Sequence, residues 1–177
     1  ERGSPFHLLR RRRWHELFHL YLGLFEALAL ALAITGALKR TIGSPRPCFY
    51  EMCQWDFASK KCMSSQKWEW EARSSFPSGH ASMSFAGFGF VSMFAQHKLQ
   101  LWCPPAWWPP LLSHLLALSP LAIAAIIAVS RVIDFYHTTL DILAGAILGL
   151  AAARICFVSR FLSHTQAGNG SGDLMLP

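Results

Sequence analysis

Apolar residues in this chain collect into four runs separated by polar or proline-rich stretches. The first, Leu17 to Leu38 ("LFHLYLGLFEALALALAITGAL"), is long enough to cross a bilayer as a helix, which rises about 1.5 Å per residue against a hydrocarbon layer about 30 Å thick. Trp14 and Tyr21 lie near one end, where interfacial aromatics concentrate. A second span is expected over about 78–96, rich in small residues that allow neighbouring helices to approach, and it is the least hydrophobic of the four. The third, about 111–129, follows the linker "CPPAWWPP", and Pro120 is expected to kink it. The fourth, about 140–161, carries Gly145 and Gly149 on one small-residue face. The pattern predicts an all-α transmembrane helical bundle in one domain: a basic flank over 1–14, a membrane domain over 15–163 with a long loop at 39–76, and a flexible tail over 164–177.

Composition agrees with a bilayer. The chain is 53% hydrophobic and only 15% charged, with positive mean hydropathy, an unusual balance for a soluble domain. The net charge of +6 raises nucleic acid as a partner, but five of the sixteen basic residues fall in the first thirteen positions, beside an apolar helix. Such a run marks a cytosolic membrane flank, so no nucleic-acid partner is expected. The chain opens at Glu1 with neither a methionine nor a signal-peptide pattern, and a fragment of a longer protein is expected.

Threading the four spans back and forth places the end of the first, the start of the second, the end of the third and the start of the fourth on one side. That side receives Lys39, Arg46, His80, Arg131, His137 and Asp141. The other receives the Arg10–Arg13 run, Lys98, Arg160 and the Gly-rich tail, whose Asn169 and Ser171 form a glycosylation sequon expected to be silent there. Basic residues in the 39–76 loop weaken the bias, and the dense arginine run decides it. The charged side is therefore expected to face a lumen or the exterior.

Three stretches on that side carry chemistry. "KRTIGSPRP" sets Lys39 and Arg46 seven positions apart around a turn stiffened by Gly43, Pro45 and Pro47; the guanidinium offers a planar donor fork for phosphate oxygens and the ammonium a compact point charge. Standing alone, the pair is better explained as a juxtamembrane loop touching lipid headgroups. "FPSGHAS" suits the start of a helix, where Ser78, Gly79 and His80 would offer free amides, a hydroxyl and a titratable proton to an anion. By itself it is better explained as an ordinary cap with an interfacial histidine. In "SRVIDFYHTTLD", a helix beginning near Thr138 would set Asp141 four positions after His137, where the carboxylate can reach the ring, fix its tautomer and leave the other nitrogen as a nucleophile. Ser130 and Arg131 add donors for an anion. A membrane tolerates this much charge only where it is paired or lines a wet cavity.

Taken together, "KRTIGSPRP", "PSGH" and "SRVIDFYHTTLD" match in order and spacing the three signatures of the type-2 phosphatidic acid phosphatases, or lipid phosphate phosphatases, with every signature position intact from Lys39 to Asp141. The resemblance implies that Lys39, Arg46 and Arg131 hold the phosphate and that Ser78 and Gly79 contact it. It further implies that His137 is the nucleophile that becomes a phosphohistidine, Asp141 its orienting partner, and His80 the acid that protonates the leaving alcohol. It implies no cofactor and no metal; three cations around two histidines would independently repel a divalent ion and welcome a phosphate dianion. His137 must start neutral and His80 protonated, so a bell-shaped pH profile is expected.

The family resemblance also implies six spans, of which this chain supplies the four that carry the motifs. The expected activity is magnesium-independent hydrolysis of lipid phosphomonoesters such as phosphatidate, lysophosphatidate, sphingoid-base phosphates or diacylglycerol pyrophosphate. "RPCFYEMC" and "SFPSGHAS" look most like the eukaryotic lipid phosphate phosphatases, while isoprenyl or dolichyl diphosphate phosphatases share the anion site. The rivals are a catalytically silent membrane scaffold of the same family and a transporter or channel for anionic lipid or phosphate. The expected partners are a phospholipid substrate and an endomembrane or plasma membrane, with homo-oligomerisation left open.

Other residues are expected to be structural. Glu26, midway along the first span, is read as meeting a neighbouring hydroxyl, Arg154 as snorkelling, and Asp134 as pairing with a loop cation. Cys53 and Cys62 are close enough in sequence to bridge and lie on the oxidising side, with Cys48 a competing partner; related phosphatases carry cysteines in a similar place. Cys103 and Cys156 are expected to be free. The loop tryptophans Trp55, Trp68 and Trp70 are expected to rest on the membrane and shape substrate entry.

Overall fold

The structure is a computed structural model that describes residues 5–102 and 109–162; Cys103 to Trp108 of the proline–tryptophan linker and the sequon of the tail lie outside the described residues. Four long helices dominate: α1 (Pro5–Ile42), α4 (Gly79–Trp102), α5 (Pro110–Ile133) and α6 (Thr139–Phe157), the last closing in a π-helical turn, Val158–Leu162. Between α1 and α4 the chain builds a small cap from α2 (Phe49–Cys53), a two-residue hairpin β1 (Trp55–Asp56) and β2 (Lys61–Cys62), and α3 (Gln66–Ala72). Cys53 and Cys62 are disulfide-bonded across this cap, and Cys48 is free.

Of the four long helices, three are long and apolar enough to cross a membrane: Trp14–Ile42, Pro110–Ile133 and Thr139–Leu162. The expected second span, α4, has the length but not the hydropathy, and its position explains why. α4 packs against α1, α5 and α6 at once, so much of its surface meets protein, and serines and glycines serve there where leucines would serve against lipid. The basic run at Arg10–Arg13 belongs to the same helix, since α1 is helical from Pro5, and it precedes the apolar stretch that begins at Trp14.

Lipid offers no hydrophobic drive for helix association, so the bundle depends on close packing of small side chains. Ala27, Ala31, Ala86, Ala152 and Ala153 are fully or almost fully buried. α4 and α6 touch backbone to backbone. A β-carbon at Gly145 would fall 2.6 Å from the Ser78 carbonyl oxygen, and one at Gly149 would run into the Ser82 carbonyl and come 2.8 Å from the Ala86 nitrogen. These two glycines hold the start of α6 against the start of α4. Phe90 fills the far end of the core edge-on to Phe157, 5.9 Å between ring centres. The large exposed apolar side chains, among them Phe25, Ile126, Leu140 and Ile147, lie on outer faces suited to lipid.

Two ion pairs lace the end of the bundle away from the cap. Lys98 Nζ reaches Glu16 at 2.8 Å, and the Arg160 guanidinium grips the Glu26 carboxylate, its Nε donating at 2.9 Å. Glu26 is thus satisfied by a cation from the other end of the chain rather than by the expected hydroxyl, which is how a carboxylate midway along α1 becomes tolerable.

Candidate active site

At the cap end, the end of α1, the loops on either side of α3, the start of α4 and the α5–α6 turn meet around one cavity of about 360 Å³. Lys39, Arg46, Gly79, His80 and His137 line it, together with Glu71 and Trp70 from α3. Residues separated by nearly a hundred positions are therefore brought to a common space.

Each arrives there for a local reason. Lys39 sits on the last turns of α1, where its ammonium donates to the Ser74 carbonyl. The Arg46 backbone amide is anchored on the Ala72 carbonyl at 2.8 Å. Its side chain, nearly buried, donates to the Glu71 carbonyl at 3.0 Å and to the Glu71 carboxylate, with Tyr136 lying over the guanidinium. His80 rides the first turn of α4. That turn is fixed to α1 by a buried hydroxyl chain, in which Thr35 donates to Ser82 at 2.8 Å and Ser82 to the Gly79 carbonyl at 3.1 Å.

His137 is placed by the way α5 ends. The amides of Tyr136 and His137 both turn back to the Arg131 carbonyl, at 3.1 and 3.2 Å, and Phe135 adopts a left-handed φ of 57° to make the reversal. α6 then starts with a capping box: the Asp141 amide donates to Thr138 Oγ1 at 3.2 Å, and the Thr138 amide donates to Asp141 Oδ2 at 2.8 Å. The same cap delivers Asp141 to the site, where it is almost fully buried.

Three placements differ from the sequence expectation. The Asp141 carboxylate stops 3.7 Å from His137 Nδ1, because its close hydrogen bonds go to the Thr138 amide and, at 2.6 Å, to the hydroxyl of Ser75. Ser78 is fully buried and does not line the cavity; its amide donates to the Asp141 carbonyl at 3.0 Å, so it ties α4 to α6 instead of facing an anion. Arg131 does not line the cavity either. It is held by Asp134 at 2.8 Å, which makes a signature cation, not a loop cation, the partner of that aspartate.

Burial and the positive charges of Arg46 and Lys39 push the His137 imidazolium down to about 4, with the charge of Asp141 and a bond to the Ser75 backbone opposing more weakly. At neutral pH the ring is therefore uncharged, as a nitrogen nucleophile requires. No group of three or more His, Cys, Asp or Glu side chains suited to holding a metal ion occurs among the described residues. Ser75 and Glu71 were not visible from sequence. Ser75 adjoins the "PSGH" signature without belonging to it, and Glu71 is one of several acids in the cap.

Two cations and two histidines share a cavity at one end of an all-α bundle whose helices are apolar enough to cross a membrane, which defines the class: an integral membrane protein of helical-bundle fold. The sequence model of the PAP2 superfamily matches residues 20–164, and the chain belongs to that superfamily. It is 35% identical over 155 residues to Lipid phosphate phosphatase 2 of Arabidopsis thaliana, covering 83% of this chain and 52% of that protein. It is 33% identical over 168 residues to Probable diacylglycerol pyrophosphate phosphatase 1 of Schizosaccharomyces pombe, covering 87% and 57%. To Lipid phosphate phosphatase 1 of Saccharomyces cerevisiae it is 30% identical over 162 residues, covering 81% and 53%. The chain thus spans about half the length of the relatives it matches. No solved structure matches it significantly.

Proposed function

We propose that the protein is a lipid phosphate phosphatase that hydrolyses phosphomonoesters of membrane lipids, or the terminal phosphate of diacylglycerol pyrophosphate, through a phosphohistidine at His137 and without a metal ion. The observation that carries this reading is the shared cavity of Lys39, Arg46, Gly79, His80 and neutral His137. Lys39 and Arg46 would take the equatorial phosphoryl oxygens, and Arg131 would join them by exchanging Asp134 for substrate. The lone pair of one His137 nitrogen attacks phosphorus, the phosphorus–alkoxide bond breaks, and the imidazolium of His80 gives its proton to the departing alkoxide. Water then attacks the phosphohistidine while neutral His80 accepts its proton; His137 leaves with its lone pair, and inorganic phosphate departs. The fixed cations perform the electrostatic work that a divalent ion performs elsewhere.

The names of the relatives favour a lipid, as does a site at the bundle end beside exposed Tyr50, Phe57, Trp68 and Trp70, which suit a bilayer interface. The Cys53–Cys62 bridge in the cap supports an oxidising compartment, hence a lumen or the exterior, for this side of the membrane. The test is phosphate release from short-chain phosphatidate by the full-length protein in detergent with a chelator present. Activity in the wild type, lost by a factor of about 1000 or more in His137→Ala, is expected. Equal rates in both proteins would remove the assignment.

A further inference from the structure

The geometry points to Ser75 as the positioning residue that sets the tautomer of His137, standing between that ring and Asp141. The inference rests on the reading of His137 as nucleophile and adds to it a residue outside the three signatures. Ser75 is completely buried, its amide is fixed on the Ser44 carbonyl at 2.9 Å, and its hydroxyl lies 2.6 Å from Asp141 Oδ2 and 3.5 Å from His137 Nδ1. Asp141 itself is farther from that nitrogen, at 3.7 Å.

A hydroxyl has one proton to give and two lone pairs to offer. The buried carboxylate is acceptor-only and takes the proton, at a distance proper to a charge-assisted bond. What Ser75 then presents to His137 is a lone pair. The ring nitrogen facing it, Nδ1, must be the one that carries hydrogen, which leaves Nε2 bare as the attacking atom. The negative charge of Asp141 reaches the ring through this hydroxyl, stabilising the positive imidazolium of the phosphohistidine. It is not spent as a direct ion pair that would protonate the ring beforehand. The charged and titratable groups facing His137 from the surrounding elements are Lys39 on α1, Arg46 after it, Glu71 on α3, His80 on α4 and Asp141 on α6, while α5 meets it through the Arg131 backbone carbonyl. Of the anions among them, Asp141 is the one adjoining the ring nitrogen, and Ser75 stands at that approach.

Two measurements on the full-length protein test this. Kinetically, Ser75→Ala is expected to lower kcat by about 10–100-fold with KM within about twofold, since no phosphate contact is removed. The acidic limb of its pH profile should move to higher pH, because the freed carboxylate now pairs with the ring directly. Ser75→Thr, which keeps the hydroxyl, is expected to restore most of kcat and the original limb; Ser75→Cys, close to serine in size but a weak donor, should fall between and reports whether size alone matters. By ¹⁵N NMR of labelled histidine in nanodiscs, His137 should carry its proton on Nδ1 in the wild type, and Ser75→Ala should lose that single tautomer or titrate at higher pH. An unchanged ring spectrum and pH limb in Ser75→Ala would overturn the inference, as would alanine and cysteine variants that are equally impaired with the wild-type ring state. The NMR arm requires no turnover. A tautomer that depends on Ser75 in a protein releasing no phosphate would uphold the positioning role while removing the phosphatase reading.

Discussion

Gly145 gives the sharpest mechanical test, because it sits one turn beyond Asp141 and directly against the backbone that carries Ser78, Gly79 and His80. In Gly145→Ala the new β-carbon would lie 2.6 Å from the Ser78 oxygen, where ordinary contact begins at 3.4 Å, so α4 and α6 must separate by about 0.8 Å (3.4 minus 2.6). The neighbouring atoms are the Ala81 β-carbon at 3.0 Å and the Ser82 nitrogen at 3.2 Å, and neither is the yielding end of a long side chain. Overpacking of this kind costs about 1–3 kcal/mol. The functional loss should be larger in proportion, since the displacement falls between the helix of His80 and the helix of Asp141; misplacing reacting groups by about 1 Å can cost about 100-fold in rate. Thermal unfolding and phosphate release from short-chain phosphatidate are the assays. A melting temperature lower by several degrees and kcat reduced about 10–100-fold are expected. Gly36→Ala, where an added β-carbon meets nothing within 4 Å, should leave both unchanged or slightly raise stability. Wild-type kcat and stability in Gly145→Ala would refute the close-packed α4–α6 seam as the element that aligns the site.

Removing the carboxylate that competes for Arg46, by Glu71→Gln, is expected to lower KM for the phosphate ester by about 2–5-fold, as expected for a partly exposed ion pair worth at most about 1 kcal/mol, and an unchanged KM would show that substrate does not displace this pair. The depressed imidazolium of His137 gives a stability term with a definite sign: the unfolded ring binds its proton near 6.5 and the folded ring only near 4, so stability is fully present above pH 6.5 and is lost as pH falls from there to about 4. The loss amounts to roughly 3 kcal/mol and should be smaller by most of that amount in His137→Gln, as measured by denaturant or thermal unfolding at stepped pH; parallel curves for the two proteins would contradict it.

Much of the site was legible because its chemistry is tied to local pattern. The capping box at Thr138 and Asp141, the Pro–Ser–Gly–His helix start and the Lys39–Arg46 spacing are short-range features, and three signatures in order indicate that they converge. The parts that stayed hidden depend on long-range geometry. Asp141 lies four residues from His137, the spacing that suggests direct contact, yet a serine 66 positions away intercepts its carboxylate. Glu26 and Arg160 meet across 134 positions, and nothing in either neighbourhood announces the other. The reversal that brings His137 inward uses a left-handed phenylalanine, where sequence reasoning looks for glycine or asparagine. α4 misled by hydropathy in the opposite sense, because a helix surrounded by other helices has no need of a lipid-like surface.

The central claim, that neutral His137 attacks phosphorus within a cage of cations, is tested most directly by rapid quenching of the full-length enzyme with ³²P-labelled lipid phosphate, followed by peptide mapping under alkaline conditions, where phosphohistidine survives. The account predicts label on the peptide containing His137, chased by water within a turnover and missing in His137→Ala. Full turnover with no labelled peptide, or label on any other residue, would contradict it.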